Sequence, residues 1–412
     1  MPRNYKPGVG HDFQFLQFDA GNVASEASVV ETDVVIVGSG IGGSVCAKML
    51  AEAGNKVMVV DKAYHFPPSQ LPMPQETASQ YLMDNGGFVG ADDGSAFIVA
   101  GSVWGGGGTV NWSVGLQTQQ FVREEWDGQV GSSFFTSPEY QEGLDWAFKV
   151  MGVATDGIRH NHANRVMLQG AEKLGWQAAV APQNSGGKEH YCGQCFMGCG
   201  SNEKRGPTVS LLPAAADAGA IFIEGLQVSN VILDDKNGLR EAVGVVGEWI
   251  SRDKDNRVSG PIQGRITRRV EIKAKKVIVA CGSLWTPVVL MNSGLKVCPS
   301  TAACYCVDPT SYIELIWSLK NPNIGKNLHL HPCQMVAGVF KYETRPWEGK
   351  MRHSVKESRL GGADAGAGGI ITSYCSEFEN LDGTGYGVKL EPTCMVVCLP
   401  FSIQDVRSDV LV

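Results

Sequence analysis

The sequence predicts an α/β protein with a parallel sheet, and three observations support that class. Near the N-terminus, a β-branched run, a glycine-rich turn and a helical pattern follow one another, and a second apolar run comes next. Further β-branched stretches recur later, at residues 228–233, 242–246, 270–273 and 277–280. Strands that alternate with helical patterns favour βαβ units. The 412 residues are enough for sizeable cores and more than one domain.

The first strand and the turn after it carry the most specific pattern in the chain. Residues 34–37, VVIV, suit a strand that is buried on both faces. Gly38, Gly40 and Gly43 follow with the spacing G-x-G-x-x-G. In such a turn the first glycine permits the tight bend, the second lets the backbone approach a pyrophosphate, and the third allows close helix–strand packing. The pattern predicts a Rossmann-type dinucleotide-binding turn.

A helix and a second strand complete this unit. The helix is predicted from a stripe at helical spacing, formed by Ile41, Val45, Met49 and Ala53 and widened by Cys46 and Leu50. Residues 57–60, VMVV, are a second buried strand, and Asp61 stands at its end. A carboxylate there can accept a hydrogen bond from a ribose 2′-hydroxyl. A glycine turn without a ligand is the alternative. The strand, the helix, the second strand and the acidic residue follow in the expected order, which favours a dinucleotide site.

A second glycine-rich stretch consists of Gly105, Gly106, Gly107 and Gly108, with Asn111 shortly after it. Backbone without side chains suits the close approach of another part of a large cofactor. A flexible glycine loop is the alternative. The first motif alone does not separate FAD from NAD, because both cofactors use it.

Three segments together resemble the glucose–methanol–choline (GMC) family of flavin oxidoreductases. They are the two glycine motifs and residues 281–295, CGSLWTPVVLMNSGL, which are similar to the family's second signature. Lys296 departs from the family pattern, which usually has a glycine there. Residues 111–113, 192–206 and 324–332 are most similar to the long-chain (fatty) alcohol oxidases within the family. The resemblance covers about residues 33–395.

The resemblance implies FAD as the cofactor. It also implies a Rossmann-type FAD-binding domain, GMC/glutathione-reductase-like, interleaved with an α+β substrate domain that is incomplete here. Gly282 and Ser283 would line the pyrophosphate and flavin together with the second glycine stretch. The backbone of Val228 would meet the adenine, although a core position in a strand fits this residue equally well.

The expected organisation divides the chain into six segments. They are an N-terminal extension (1–30), the first half of the FAD-binding domain (31–114), a substrate or cap segment (115–205), the second half of the FAD-binding domain (206–331), a partial substrate domain (332–395) and a tail unlike the family (396–412).

Four side chains form a possible metal-binding pattern, namely His190, Cys192, Cys195 and Cys199. Their spacing could hold zinc or a portion of an iron–sulfur cluster. A disulfide and free thiols are the alternatives. No second C-x-x-C lies nearby, so we favour thiols near the flavin site and predict no metal.

The catalytic base is the main gap in the resemblance. Hydride transfer from an alcohol to a flavin needs a base with a pKa near the working pH, which favours histidine. In the family this histidine lies in a C-terminal segment, whereas the last histidine here is His353 and similarity ends at Met395. A supporting role for His331 or a purely structural one fits its position. We therefore expect this chain to be truncated and to lack the base.

Residues 297–320 interrupt the similarity between two copies of the dipeptide Leu-Lys. Valine codons begin with GT and a lysine codon can end with AG, which match the usual ends of an intron. We interpret the insert as a translated intron, and a second one beginning at Val396 would explain the tail. A genuine cysteine-rich loop is the alternative.

The composition excludes several classes of protein. Formal net charge is −7 with no basic cluster, so we expect no nucleic-acid partner. No run of about 20 apolar residues is present, so no transmembrane segment is expected, although peripheral membrane contact stays open. The chain shows no export signal and its cysteines suit reduced thiols, which favours an intracellular protein. Membrane-associated or peroxisomal localisation follows only from the resemblance.

The predicted function is the FAD-dependent oxidation of a long-chain primary alcohol to the aldehyde. Dioxygen would be the acceptor and hydrogen peroxide the product. Two alternatives stay open. One is an inactive, truncated flavin-binding product of such a gene, and the other is an NAD-dependent dehydrogenase that uses the first motif alone.

Overall fold

A computed structural model describes residues 7–19, 27–190, 194–236, 239–258, 264–296, 321–330, 333, 370–380, 383 and 386–392. The insert at 297–320, the tail at 396–412, Cys192, His331 and His353 lie outside the described residues. No helix in the described ranges is long and apolar enough to cross a membrane.

The described residues contain eight helices and eleven strands. The helices are α1 (Ile41–Glu52), α2 (Gln75–Leu82), α3 (Gly107–Val110), α4 (Gln120–Val130), α5 (Pro138–Val150), α6 (His162–Leu174), α7 (Leu211–Asp217) and α8 (Gly282–Asn292). The strands are β1 (Ser28–Val37), β2 (Val57–Val60), β3 (Val89–Gly90), β4 (Phe97–Ile98), β5 (Ala178–Val180), β6 (Ile221–Ile223), β7 (Leu226–Lys236), β8 (Leu239–Ile250), β9 (Thr267–Val279), β10 (Ser373–Phe378) and β11 (Val388–Leu390).

A six-stranded mixed sheet with the order β6-β2-β1-β9-β8-β7 is the centre of the fold. The four strands β6, β2, β1 and β9 are parallel, and β8 and β7 continue the sheet as an antiparallel hairpin. The side chains of β2 are buried on both faces, as are residues 34–37 of β1. The predicted α/β class with a Rossmann-type parallel core is confirmed.

Apolar side chains pack against both faces of this sheet. One face contacts α1 and α7 and includes Trp104 and Phe222, while the other includes Trp249 of β8 and contacts Val289 of α8. Phe13, in the predicted N-terminal extension, is 7% exposed and packs edge-on against Phe222. Residues 7–19, the first described part of that extension, therefore pack against the sheet.

Two sequence predictions about the elements are wrong. The predicted strands at 270–273 and 277–280 are one strand, β9, which pairs with β1 from Val270 to Val279. The polar residues between them, such as Lys275, point to the surface without interrupting the strand. On α1 the buried residues include Gly43, Ala47 and Ala51, whereas Met49 is 51% exposed. Small side chains face the sheet because the helix lies close to it, so Met49 of the predicted stripe turns outward, while Cys46 and Leu50 pack at the edge of the core.

A smaller three-stranded antiparallel sheet has the order β11-β10-β5. It joins the predicted cap segment to the predicted substrate domain, because β5 belongs to the first and β10 to the second. Asn164 of α6 reinforces the junction, since its Oδ1 accepts hydrogen bonds from the Thr372 backbone N–H and the Ser373 hydroxyl. These two distant regions of the sequence form one packed unit in the described residues.

Candidate cofactor site

A cavity of about 940 Å³ opens at the carboxyl ends of β1, β2 and β9. Ligands of open α/β sheets bind at this edge, and the volume is in the range of cofactor pockets. The wall brings together the turn after β1, the end of β2, the second glycine stretch, the β7–β8 hairpin and the start of α8. Eight of the twelve predicted cofactor residues line it, namely Gly38, Gly40, Asp61, Gly106, Gly107, Val228, Gly282 and Ser283.

The three glycines of the first motif have different surroundings. Gly38 has φ +107°, and an added Cβ would lie 2.3 Å from the Ala280 carbonyl oxygen. A Cβ on Gly43 would lie 1.9 Å from the Gly38 carbonyl oxygen. By contrast, nothing lies within 4 Å of a Cβ on Gly40. The first and third glycines therefore close the turn, while the second leaves space.

The start of α1 faces this space with free backbone donors. Gly40 is the N-cap of α1 and provides no side-chain cap. The first N–H groups of a helix have no intrahelical partner and favour an anionic group. This end of the helix suits a pyrophosphate, as the motif predicts.

The Asp61 carboxylate has partners that the sequence did not reveal. Its Oδ2 accepts hydrogen bonds from the Ser39 backbone N–H (2.8 Å) and hydroxyl (2.6 Å), and Oδ1 accepts one from the Ala63 N–H (2.9 Å). Burial raises the pKa of the Asp61 carboxyl, and these hydrogen bonds act in the opposite direction. A carboxylate has about four acceptor positions, so capacity remains for a ribose hydroxyl.

Ser39 links the two glycine motifs. Its side-chain oxygen, which donates to Asp61, also accepts a hydrogen bond from the Gly105 N–H at 2.9 Å. Ser39 is fully buried, so these bonds are shielded from water. A Cβ on Gly106 would lie 3.0 Å from the Gly40 Cα, so the two backbones touch. The only sequence signal for Ser39 was its place inside the first motif.

The second stretch divides into two pairs of glycines. Gly106 and Gly107 line the cavity. Gly105 and Gly108 instead pack against the residues after Gly206: a Cβ on Gly108 would lie 2.4 Å from Pro207 Cδ. The structure thus places half of this stretch beside the cavity and half against a supporting segment.

Asn111 ends α3 as its C-cap. Its Oδ1 is buried, and among the described residues no group donates a hydrogen bond to it. An unpaired buried oxygen is costly unless a ligand or water pairs with it. This residue is outside the cavity wall, but its free acceptor is consistent with the predicted cofactor role.

At the start of α8, Gly282 has φ +78° and open space around it. Beyond it a cluster that the sequence did not reveal also lines the cavity. The Trp285 indole N–H donates to Asp84 Oδ2 (2.8 Å), and Lys62 Nζ pairs with Asp84 Oδ1 (2.5 Å). The Lys62 ammonium lies 3.9 Å from the Trp285 ring centroid. No local pattern marks the three positions as neighbours.

The cysteine cluster is separate from the cavity wall. Cys195 and Cys199 are buried free thiols. Cys195 Sγ lies 3.7 Å from His190 Nε2, and His190 Nδ1 lies 2.8 Å from Glu203 Oε2. Burial raises the pKa of the Cys195 thiol, but the hydrogen bond and charge of His190, together with the charge of Lys204 and a hydrogen bond with Ser113, outweigh it and lower the pKa to about 6.

Fold and cavity define a dinucleotide-binding protein of the Rossmann type. The sequence profile of the GMC oxidoreductase family matches residues 79–333, and that of an NAD(P)-binding Rossmann-like domain matches residues 36–66. The chain therefore belongs to the GMC oxidoreductase family, as the resemblance predicted, and its cofactor is FAD.

Several known proteins are similar to this chain. The long-chain-alcohol oxidase FAO4B of Arabidopsis thaliana is 32% identical over 348 residues, covering 84% of this chain and 40% of the relative. The long-chain-alcohol oxidase FAO1 of the same plant is 33% identical over 321 residues, covering 78% and 38%. An uncharacterised GMC-type oxidoreductase of Mycobacterium tuberculosis is 28% identical over 332 residues, covering 80% and 46%.

The chain spans about two fifths of the length of the curated plant relatives it matches. Among solved structures, a formate oxidase overlaps with a TM-score of 0.42 and 15% identity, covering 65% of this chain and 48% of that one. That overlap is too weak to add to the family match.

Proposed function

We propose that the described residues form the FAD-binding portion of a long-chain alcohol oxidase. One observation carries the proposal: both glycine motifs and the start of α8 form a single wall of the same cavity. Each segment alone has an ordinary explanation, but three segments at one cavity match a cofactor with two halves. The substrate class comes from the names of the plant relatives.

We assign the ADP half of FAD to the first motif and to Asp61. Gly40 leaves space for the pyrophosphate at the start of α1, and the Asp61 carboxylate has acceptor capacity for the ribose. The flavin half would lie along Gly106, Gly107 and the start of α8, and Asn111 ends α3 behind this wall. Val228 would contact the adenine from β7.

When bound, FAD supplies the acceptor for the hydride that a primary alcohol loses as it becomes an aldehyde. Dioxygen is the proposed final acceptor and hydrogen peroxide the product. The alcohol must also lose its hydroxyl proton to a base. Within the region that the structure describes, no histidine lines the cavity. We therefore place the base outside the described residues and assign cofactor binding, not proton transfer, to the residues above.

Flavin content and turnover together test this proposal. The purified chain, incubated with FAD and then desalted, should show flavin absorbance at a stoichiometry near one. Peroxide formation with a long-chain primary alcohol would support the full oxidase, whereas flavin without peroxide would support the inactive flavin-binding alternative. Binding of NAD without flavin would overturn both readings in favour of a dehydrogenase.

Asp61→Ala tests the assignment of the ribose site. Losing the acceptor should lower the amount of flavin that survives desalting, because the hydrogen bonds of a charged group contribute about 1.5–3 kcal/mol. Glu52→Ala is a matched control, since that carboxylate lies at the far end of α1 and pairs with Lys48. Equal flavin content in wild type and Asp61→Ala would remove Asp61 from the site.

We also propose that residues 297–320 are a translated intron. Sequencing of the complementary DNA across codons 290–325 and past codon 395 tests this directly. A transcript without codons 297–320 that continues to a histidine-bearing segment would support it. A transcript that matches the present chain throughout would contradict it and favour the cysteine-rich loop.

A further inference from the structure

Lys204 lies in the segment after the cysteine cluster, and its ammonium group is buried against backbone. The side chain is 2% exposed. Its Nζ donates hydrogen bonds to the carbonyl oxygens of Thr109 (2.7 Å), Asn111 (2.8 Å) and Cys195 (2.8 Å). An ammonium has three N–H donors, so these carbonyls match its full donor capacity.

Two of these carbonyls belong to the end of α3. The last carbonyls of a helix lack an intrahelical partner, and a lysine can supply one. Lys204 thereby holds Thr109 and Asn111 in place from one side. Asn111 is the C-cap and adopts an extended backbone (φ −62°, ψ 162°), so its side-chain direction depends on how this end is held.

The backbone that follows Lys204 packs against the same stretch. A Cβ on Gly206 would lie 2.3 Å from the Gly108 carbonyl oxygen, and a Cβ on Gly105 would lie 2.9 Å from Thr208 Cγ2. On the other side of Lys204, Glu203 bonds to His190, which contacts Cys195. The ammonium is therefore carried by a segment that is itself fixed at both ends.

Burying an ammonium is costly unless it is fully hydrogen-bonded. A methionine would fill similar space without that cost, so packing alone does not require a lysine here. What the charge adds is a fixed geometry for three carbonyls, two of which end the second glycine stretch. That stretch meets the cofactor cavity through Gly106 and Gly107.

We infer that Lys204 is a positioning residue for the flavin half of the cofactor site, acting through the backbone of the second glycine stretch and α3. This inference rests on the proposed function, since it assumes that FAD occupies the cavity. Lys204 fixes the Thr109 and Asn111 carbonyls at the end of α3, and with them the Gly106–Gly107 backbone at the cavity wall, whereas the ADP half lies at the first motif. Neither glycine motif nor the α8 signature contains this residue.

The test compares FAD with ADP as ligands of the full chain. Lys204→Met should weaken FAD binding by about tenfold, because a buried charged hydrogen-bond donor is lost. ADP binding should change by less than about twofold, since the first motif is untouched. Lys275→Met is the matched control, because that side chain is 80% exposed and lies far along β9. Titration calorimetry measures both ligands.

A double-mutant cycle separates a positioning role of Lys204 from a general contribution to the stability of the fold. Gly107→Ala, whose added Cβ would meet no protein atom and would enter the cavity, should weaken FAD binding by a similar factor, and the double variant Lys204→Met/Gly107→Ala should be no weaker than the worse single variant. Multiplicative losses would overturn the inference, as would equal losses of FAD and ADP affinity. An unchanged FAD affinity in Lys204→Met would also overturn it.

If Lys204→Met fails to fold by circular dichroism, Lys204→Ala with added n-butylammonium replaces it. Return of FAD binding on addition of the amine would support the inference, and its absence would contradict it. A wild-type chain that binds no FAD would instead refute the proposed function, so the two failures are distinguishable.

Discussion

The two glycine-rich stretches reach the same cavity by different means. The first lies between β1 and α1, so neighbouring elements in the chain shape it. The second runs into the four-residue α3, whose first two residues are Gly107 and Gly108, and it is held by distant groups, namely Ser39, Lys204 and Pro207. A local βαβ unit builds its own turn, whereas a bare glycine run needs partners from elsewhere in the sequence. This difference predicts how each stretch responds to substitution, acid and lost hydrogen bonds.

The largest effect should come from Gly43→Ala. The added methyl would lie 1.9 Å from the Gly38 carbonyl oxygen, and a backbone atom cannot move aside cheaply. We expect a loss of about 3 kcal/mol or more in the free energy of unfolding. Urea unfolding measures it. Gly170→Ala in α6 is the control, since nothing lies within 4 Å of its Cβ, and a normally stable Gly43→Ala would show that the local turn is less rigid than its contacts indicate.

Acid should act next, through His65, which lines a small cavity beside the second stretch together with Trp104, Gly108 and Lys204. Burial, together with the charges of Arg252 and His11, lowers the pKa of His65 to about 4. Its neutral form is favoured in the fold, so the stability that it contributes above pH 6.5 is lost as the pH falls toward 4.

The expected loss is about 2–3 kcal/mol between pH 7 and pH 4. Urea unfolding across that interval measures it, and His65→Gln should flatten the profile because a glutamine does not titrate. Parallel profiles for the wild type and His65→Gln would assign the acid response to other groups.

Ser39→Ala should remove the direct link between the two stretches. It leaves the Gly105 N–H and one Asp61 oxygen with a lost partner in a buried place, at a cost of about 1–2 kcal/mol. We expect faster amide exchange at Gly105 than at Ser44, whose N–H stays in α1 bonded to Gly40. Hydrogen–deuterium exchange with mass spectrometry tests this. Equal protection of the Gly105 and Ser44 segments in Ser39→Ala would contradict a stabilising role for the Ser39 hydroxyl.

The smallest change in stability should come from Gly40→Ala. Its φ of −63° suits alanine and no atom is near, so unfolding should shift by about 0.5 kcal/mol or less. FAD affinity should nevertheless fall roughly tenfold, because the methyl group occupies the space for the pyrophosphate. Calorimetry with FAD checks this, and unchanged affinity would move the pyrophosphate away from Gly40.

Local pattern was enough to predict the first unit of the fold. Residues 34–37 and 57–60 are buried strands because their β-branched runs permit little else, and the spacing of Gly38, Gly40 and Gly43 fixed the turn. The helical spacing of apolar residues alone predicted the wrong buried face for α1. The helix lies so close to the sheet that Ala47 is buried there, whereas Met49 is exposed. Helical periodicity shows that a face exists, but not which side chains are small enough for it.

The contacts that shape the second stretch could not be predicted in the same way. Lys204 is 95 residues from Thr109, and Gly105 is 66 residues from Ser39. No spacing rule links such positions, and a lysine in a charged segment looks like an ordinary surface residue. The resemblance to the GMC family named the segments, but only the folded chain shows which atoms join them.

The hydroxyl of Ser39 has one hydrogen, which it donates in a hydrogen bond to the Asp61 carboxylate. Its oxygen can therefore only accept from Gly105, which gives the three groups a fixed polarity from amide to hydroxyl to carboxylate. Such chains strengthen cooperatively, so charge withdrawn at one end weakens the other. A ribose hydroxyl that donates to Asp61 would therefore weaken the hydrogen bond that Gly105 of the second stretch donates to Ser39. The two ends of one cofactor would thus be thermodynamically coupled through a single serine.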